Sequence, residues 1–326
     1  MDGRVARASS RRREAASAPG AAAARGGAML SARPSRRLQP MPQGRTGRHR
    51  DLIGVVAFDA VRYSTAVTMR GVEQAARRAG YGTCIVELAR PDDVGMAEAI
   101  GRLARQPVVG TVIIAPLTPG VAAGILHSAV PTVVVGAGTF GHVQVPTVDH
   151  ALGARLAVEH LLDLGHETVW HLSGPQDWQQ ARHRADGWRA ALRQAGRRIP
   201  PIMLGGWGAE SGYEAGRLLA ERADVSAVFC ASDQQAMGML RALCERGVRV
   251  PDDVSVVGCD GIPEGEYLTP SLTTVRQDFD ALGRSCLTTL LATIEQRELP
   301  TAAGCPWAVP TLVVRASSGP PRSQSR

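Results

Sequence analysis

The sequence predicts an α/β protein of two similar lobes, each a parallel sheet flanked by helices. From residue 51 onward, short apolar runs alternate with amphipathic stretches in two successive series, each more than a hundred residues long. The unit is plainest in residues 226–279. There the apolar run 227–231 ends in Ser232-Asp233 and passes into a helical pattern with Met237, Leu240 and Leu243 on one face. A Gly-Val-Arg-Val-Pro-Asp turn leads to a second apolar run, 254–257, ending in Gly258-Cys259-Asp260-Gly261. A short polar residue thus closes each strand. Ligands of open parallel sheets bind just beyond strand carboxyl ends, so Asp233 and Asp260 are expected on one rim.

In the first series, residues 52–58 form a strand and 65–79 a helix stopped at Gly80. Strands follow at 83–88 and 110–115 with a helix near 93–105 between them, and 132–135 is a strand after a short helix. The second series opens with a helix over 150–164, where His166 is expected to help end the helix, and a strand over 168–172. Helix 179–195, strand 202–204 and helix 211–222 lead into the segment above; a long helix over 279–297 and a strand over 312–315 finish the pattern. Such alternation implies right-handed crossovers.

The order ASDQQAMG (231–238), VPDDVSVVGCDGIPE (250–264) and LTTVRQDF (272–279) resembles the effector-binding core of the lactose-repressor (LacI) family of bacterial transcription regulators. The similarity extends over roughly residues 52–315. It implies a periplasmic-binding-protein-like (type I) fold with three crossovers between lobes, near 148, 276 and 307. One lobe would hold 51–148 plus about 277–306, and the other 149–276 plus about 307–316. A polar, disordered tail is expected over 317–326 and, lacking leucine heptads, no C-terminal tetramerising coil.

All 37 basic residues are arginine, which removes lysine-dependent chemistry: P-loop lysines, Schiff bases and lysine general bases. The net charge of +7 is uneven. Residues 1–50 carry twelve arginines against Asp2 and Glu14, a net +10, leaving −3 for the rest. The Arg/Ala/Gly/Ser-rich residues 1–32 have no periodic apolar face and are expected to be disordered. A basic arm can also track phosphates. The resembled family carries a helix-turn-helix here, and its pattern is not recognisable. Arg33-Pro34-Ser35 resembles the start of the family's DNA-hinge segment, with Leu38 as the candidate minor-groove leucine, but Pro40 and Pro42 would break so short a helix. A frame-shifted or misplaced start would produce the same composition. Arg11-Arg12-Arg13 before an Ala-rich stretch is a poor export signal, because Ser17, Pro19 and Gly20 interrupt it. Six scattered cysteines without a CxxC pair suit a reduced, cytoplasmic protein, and no run is long enough to span a membrane.

Asp260, at a strand end, is either an Asx-turn residue or a ligand carboxylate. The resemblance assigns it to the effector. Arg184, one helical turn from Trp188, matches the arginine that such repressors point into the cleft, and its fixed donors suit sugar hydroxyls or a carboxylate. Ser232 and Asp233 begin a helix, so capping competes with ligand contact. The family more often has Asn where Ser232 stands. Trp207, in a Gly-rich turn, would be exposed unless it stacks on a sugar or packs as a lid on the neighbouring lobe. Gln277 and Phe279 lie at the crossing near 276, in cleft lining or hinge packing. The loop after the first strand, with Phe58, Asp59, Arg62 and Tyr63, faces the same cleft and should set which sugar binds. Gly136 stands where the family's founding member has a cleft carboxylate.

Residues 136–141, GAGTFG, formally match a dinucleotide fingerprint. They run into His142-Val143-Gln144-Val145-Pro146, an extended segment, so no helix terminus is available for a pyrophosphate. The eight histidines show no metal-ligand spacing, and no nucleophile context is recognisable. No cofactor, metal or catalytic activity is expected. The resemblance implies a sugar-responsive regulator acting as a homodimer on operator DNA, with helix residues 69–76 as candidate dimer surface. The alternative is a carbohydrate-binding protein of the same fold with no DNA partner.

Overall fold

The structure is a computed structural model that describes residues 51–116, 118–126, 128, 130–135, 139, 140, 143, 144, 146–296 and 308–322. The arginine-rich residues 1–50, with Leu38, together with Gly136 and Cys305, lie outside the described residues.

The first sheet has the order β2-β1-β3-β4 and is parallel throughout: β1 (Leu52–Phe58), β2 (Gly82–Leu88), β3 (Val108–Ile114) and β4 (Thr132–Val134). Its helices are α1 (Tyr63–Arg78), α2 (Asp93–Leu103) and α3 (Pro119–Leu126). Strand β1 is buried from Ile53 to Ala57, as expected of a central strand covered on both faces. In a short antiparallel pair, β5 (Thr139–Phe140), inside the GAGTFG stretch, meets β6 (Val143–Gln144), inside the segment expected to be extended.

The second sheet has the order β12-β11-β10-β9-β7-β8. Its members are β7 (Trp170–Ser173), β8 (Met203–Leu204), β9 (Ala227–Cys230), β10 (Ser255–Asp260), β11 (Thr273–Arg276) and β12 (Thr311–Val313). Helices α4 (His150–Asp163) and α5 (Gln179–Gln194) contribute to the core on one face, where Leu161, Trp188, Phe229, Val257 and Val275 meet. Helices α6 (Ala209–Leu219) and α7 (Asp233–Glu245) cover the other, where Leu172, Val228, Met239, Leu243 and Val256 meet.

The last long helix, α8 (Phe279–Ile294), follows β11 of the second sheet but packs in the first lobe, where Leu282, Leu287 and Leu290 join Val55, Val112 and Ile113. It crosses α1 closely: a Cβ on Gly71 would lie 2.3 Å from the Asp280 carbonyl, and one on Gly283 2.2 Å from that of Thr68. The small residues therefore permit the contact that anchors the crossing chain. Val148, at the first crossing, bridges Ala308 in parallel.

Three expectations are corrected. Strand β12 runs antiparallel to β11, so the second sheet is mixed. Residues 317–322 are ordered, not a free tail: Ser317 is fully buried, accepts the Thr273 amide at 2.8 Å and donates to the Val256 carbonyl at 2.6 Å. His166 serves that tail as well as its helix end, with its ring bonded to Ser226, Ser255 and the Gly319 carbonyl. The stretch proposed as dimer surface is only partly available, since Gly71, Val72 and Ala76 are buried.

Candidate functional site

The carboxyl ends of β1, β3 and β10 and the amino ends of α1, α4 and α5 surround one cavity of about 80 Å³ between the two sheets. Phe58, Arg62, Arg184, Trp207, Asp260 and Phe279 line it, as do His150, Trp178, Gln180 and the hydroxyl residues Ser64, Thr65, Thr68 and Thr147.

Asp260 ends β10 with φ of 121° and Gly261 follows at 78°, both in the left-handed region. For a non-glycine residue this conformation is costly unless neighbours enforce it. Asp233 enforces it. One carboxylate oxygen accepts the amides of Gly261 and Ile262 at 2.7 and 2.8 Å, and the other accepts the Thr274 hydroxyl at 2.6 Å. Burial raises the Asp233 pKa, which these bonds oppose.

The Asp260 side chain receives Arg184 Nη2 at 3.2 Å, and Arg184 Nη1 donates to the Ala231 carbonyl at 2.9 Å. Both residues are at most 5% exposed. Desolvation lifts the Asp260 pKa to about 7 despite the guanidinium beside it. The pair is therefore poised rather than saturated: a ligand hydroxyl donating to Asp260 stabilises its ionised form.

An aromatic wall completes the cavity. Trp178, at the amino cap of α5, lies 5.8 Å from Phe58 and 5.7 Å from Trp207, the latter edge-on at 71°. Arg62 sits over both indoles at 5.2 and 5.4 Å, and Arg184 over Trp207 at 5.4 Å. Trp207 is buried at 8% exposure, not exposed in its turn. It packs flat because Gly174 has no side chain; a Cβ there would meet the indole at 2.5 Å. His150 opens α4, and its Nδ1 is buried and unbonded. Burial, with Arg184 and His183 nearby, holds its pKa well below the ordinary value, so the imidazole is neutral.

The remaining sequence candidates lie around this cavity, not in its lining. Asp59, at φ 52°, pairs with Arg62. Ser232 caps α7 through a capping box with Gln235 and donates to the Trp207 carbonyl at 2.8 Å. Ser232 and Asp233 are thus spent inside their lobe, as supports of Trp207 and Asp260. Tyr63 and Gln277 line a neighbouring cavity of about 420 Å³ that also touches Phe279; Tyr63 meets that ring edge-on at 6.2 Å. Gln277 donates to Cys259 Sγ at 2.9 Å and leaves its carbonyl oxygen unbonded. Sequence reasoning missed His150 and Trp178. Each begins a helix just after a crossing or a strand-end loop, and that position was the available signal.

Among the described residues no helix is long and apolar enough to cross a membrane, and no cluster of His, Cys, Asp or Glu has the geometry to hold a metal ion.

The chain matches the periplasmic binding protein-like domain over residues 158–318. It is 31% identical to the lactose operon repressor of Escherichia coli K12 over 250 residues, covering 75% of this chain and 69% of that one. Identity to the ribose operon repressor of the same organism is 32% over 237 residues, or 71% and 72% of the two chains. The repressor PurR of Haemophilus influenzae Rd is 30% identical over 253 residues, 76% of this chain and 74% of that one. Among solved structures, a dimeric Lac repressor with a C-terminal deletion superposes with a TM-score of 0.76 at 29% identity, covering 83% of this chain and 100% of that one. A LacI family regulator from Mycobacterium smegmatis gives 0.71 at 26% identity over 82% and 99%. The lactose, ribose and PurR relatives are named as repressors, and the Mycobacterium smegmatis protein as a transcriptional regulator. Two sheets enclosing one polar, aromatic-walled cleft, with this identity over more than two thirds of several repressors, place the chain in the LacI family of transcription regulators.

Proposed function

We propose that the chain is a carbohydrate-responsive repressor whose effector binds between the two sheets at Arg184 and Asp260. The observation that carries this reading is the meeting of a buried guanidinium–carboxylate pair with an indole wall in one cavity. Adjacent sugar hydroxyls suit charged planar groups, and the apolar face of a sugar ring suits an indole. Phe58, Arg62 and Trp178 approach from the first-lobe loop and the α5 cap, so a ligand there touches both lobes and favours one lobe arrangement over another.

The relatives named above include operon repressors, and a Lac repressor dimer has been solved bound to operator and an anti-inducer at 28% identity, with a TM-score of 0.76 over 84% of this chain and 96% of that one. The same partners are proposed here: operator DNA, a second copy of the chain and a small effector. Lobe movement in a dimer would change the spacing of the arginine-rich N-terminal arms and so the affinity for DNA. The protein would act in the cytoplasm and without catalysis. The test is binding of the full chain to its upstream DNA near physiological salt, with and without a panel of carbohydrates. Sequence-selective binding altered by one carbohydrate supports the reading; weak, sequence-independent binding indifferent to all of them contradicts it.

A further inference from the structure

We infer that the effector is an anionic sugar, one that carries a carboxylate or a phosphate. The inference deepens the carbohydrate reading above and rests on it. It comes from the polar atoms that the protein leaves unmatched inside the cleft. Among the described residues, four buried atoms without a hydrogen-bond partner belong to the lining of this one cavity: Arg62 Nε, Arg184 Nε, Trp207 Nε1 and His150 Nδ1. The first three can only donate. Arg184 is 3% exposed and Trp207 8%, so water does not substitute freely for a missing acceptor.

The opposing acceptors are few. Asp260 is the one carboxylate among the lining residues, and it already receives Arg184. Asp59 pairs with Arg62 from outside the lining. Two guanidinium groups therefore face the cavity against a single carboxylate, which burial disposes toward its neutral form. The hydroxyls of Thr65, Thr68 and Thr147 direct their own protons to backbone carbonyls and do not redress the charge.

A neutral sugar can meet these donors through its hydroxyl and ring oxygens, but it brings hydroxyl protons that need acceptors in turn and carries no compensating charge. A carboxylate or phosphate offers only acceptors and a compensating charge. Arg62 is held for that role by its two indoles, at 5.2 and 5.4 Å, which fix the guanidinium without using its hydrogen-bonding edge.

The test titrates the full 326-residue chain calorimetrically with matched sets of sugars: glucose, glucuronate and glucose 6-phosphate; galactose, galacturonate and galactose 6-phosphate; ribose, ribonate and ribose 5-phosphate. In at least one set an anionic member should bind about tenfold or more tighter than its neutral parent. Arg62→Gln should erase most of that preference, and the winning member tells carboxylate from phosphate. Neutral sugars that bind as tightly as their anions, with binding lost in Asp260→Ala, would overturn the anionic assignment and leave the carbohydrate cleft intact. An anionic preference that survives Arg62→Gln would also overturn it. Binding by no member of any set would overturn both readings.

Discussion

Asp233 accepts the backbone amide of Gly261 at 2.7 Å, and through that contact a residue that does not line the cleft sets the direction of one that does. Without it, the left-handed backbone at Asp260 has little to hold it. Asp233→Ala leaves two amides and the Thr274 hydroxyl unpaired in a buried site, at about 1–3 kcal/mol each before relaxation. Denaturant unfolding should show a loss of several kcal/mol, and any folded fraction should bind effector more weakly. Normal stability would show that Asp260 keeps its conformation unaided.

Gly174→Ala tests the aromatic wall from behind. The added methyl falls on the Trp207 indole, so the ring must move toward Arg62 and Arg184. Overpacking of this kind costs about 1–3 kcal/mol. The change should also shift the intrinsic tryptophan fluorescence and weaken effector binding. A variant with unchanged spectrum and affinity would exclude Trp207 from the ligand surface.

His171 supplies a pH signature. It stacks on Phe229 at 4.9 Å in the second-lobe core, and burial lowers its pKa to about 4. The unfolded chain binds this proton at about pH 6.5 while the folded protein resists it, so stability should fall as pH drops through that window. Between pH 7.5 and 5 the contribution is about 2 kcal/mol. Asp260 acts in the opposite sense. Its raised pKa means that the folded state holds the proton longer, so its contribution is lost as pH rises from about 4 toward about 7. Comparing urea unfolding of the wild type with His171→Phe at both pH values isolates the histidine: the variant should lose the acid-sensitive part of the difference. Equal pH dependence would contradict it.

The C-terminal segment is structural. Deleting residues 317–326 removes the Ser317 bonds to Thr273 and Val256 and the Gly319 contact with His166. Orphaning a buried amide and a carbonyl costs about 1–3 kcal/mol each, so the melting temperature should drop measurably. An unchanged melting temperature would mean that solvent replaces these partners without loss.

The sheets were legible because buried parallel strands are short apolar runs and the helices between them keep a helical period. Strand β11 was not, since Thr273-Thr274-Val275-Arg276 carries only one aliphatic residue. The antiparallel turn of β12 depends on pairing that no local pattern encodes. In the site, Asp260 and Arg184 were visible from strand-end position and from motif, and Arg62 from its loop. The burial of Trp207 was not, because it depends on Gly174 thirty-odd residues earlier, where an absent side chain makes the space. Trp178 and His150 looked like ordinary helix starts; only the approach of the two lobes makes them walls of one cavity. Asp233 carried two possible roles in sequence. Its three internal bonds make it a support for Asp260.

The most direct measurement is the affinity of the full chain for its upstream DNA, with and without the carbohydrate panel, for the wild type and for Asp260→Ala. A regulator built on this cleft should show DNA binding altered by one carbohydrate in the wild type and indifferent to it in the variant. At a ligand concentration near 100 times Kd, the same carbohydrate should stabilise the wild type alone by about 2.7 kcal/mol. DNA binding that ignores every carbohydrate, or an Asp260→Ala variant that responds like the wild type, would contradict a role for the Arg184–Asp260 cleft in regulation.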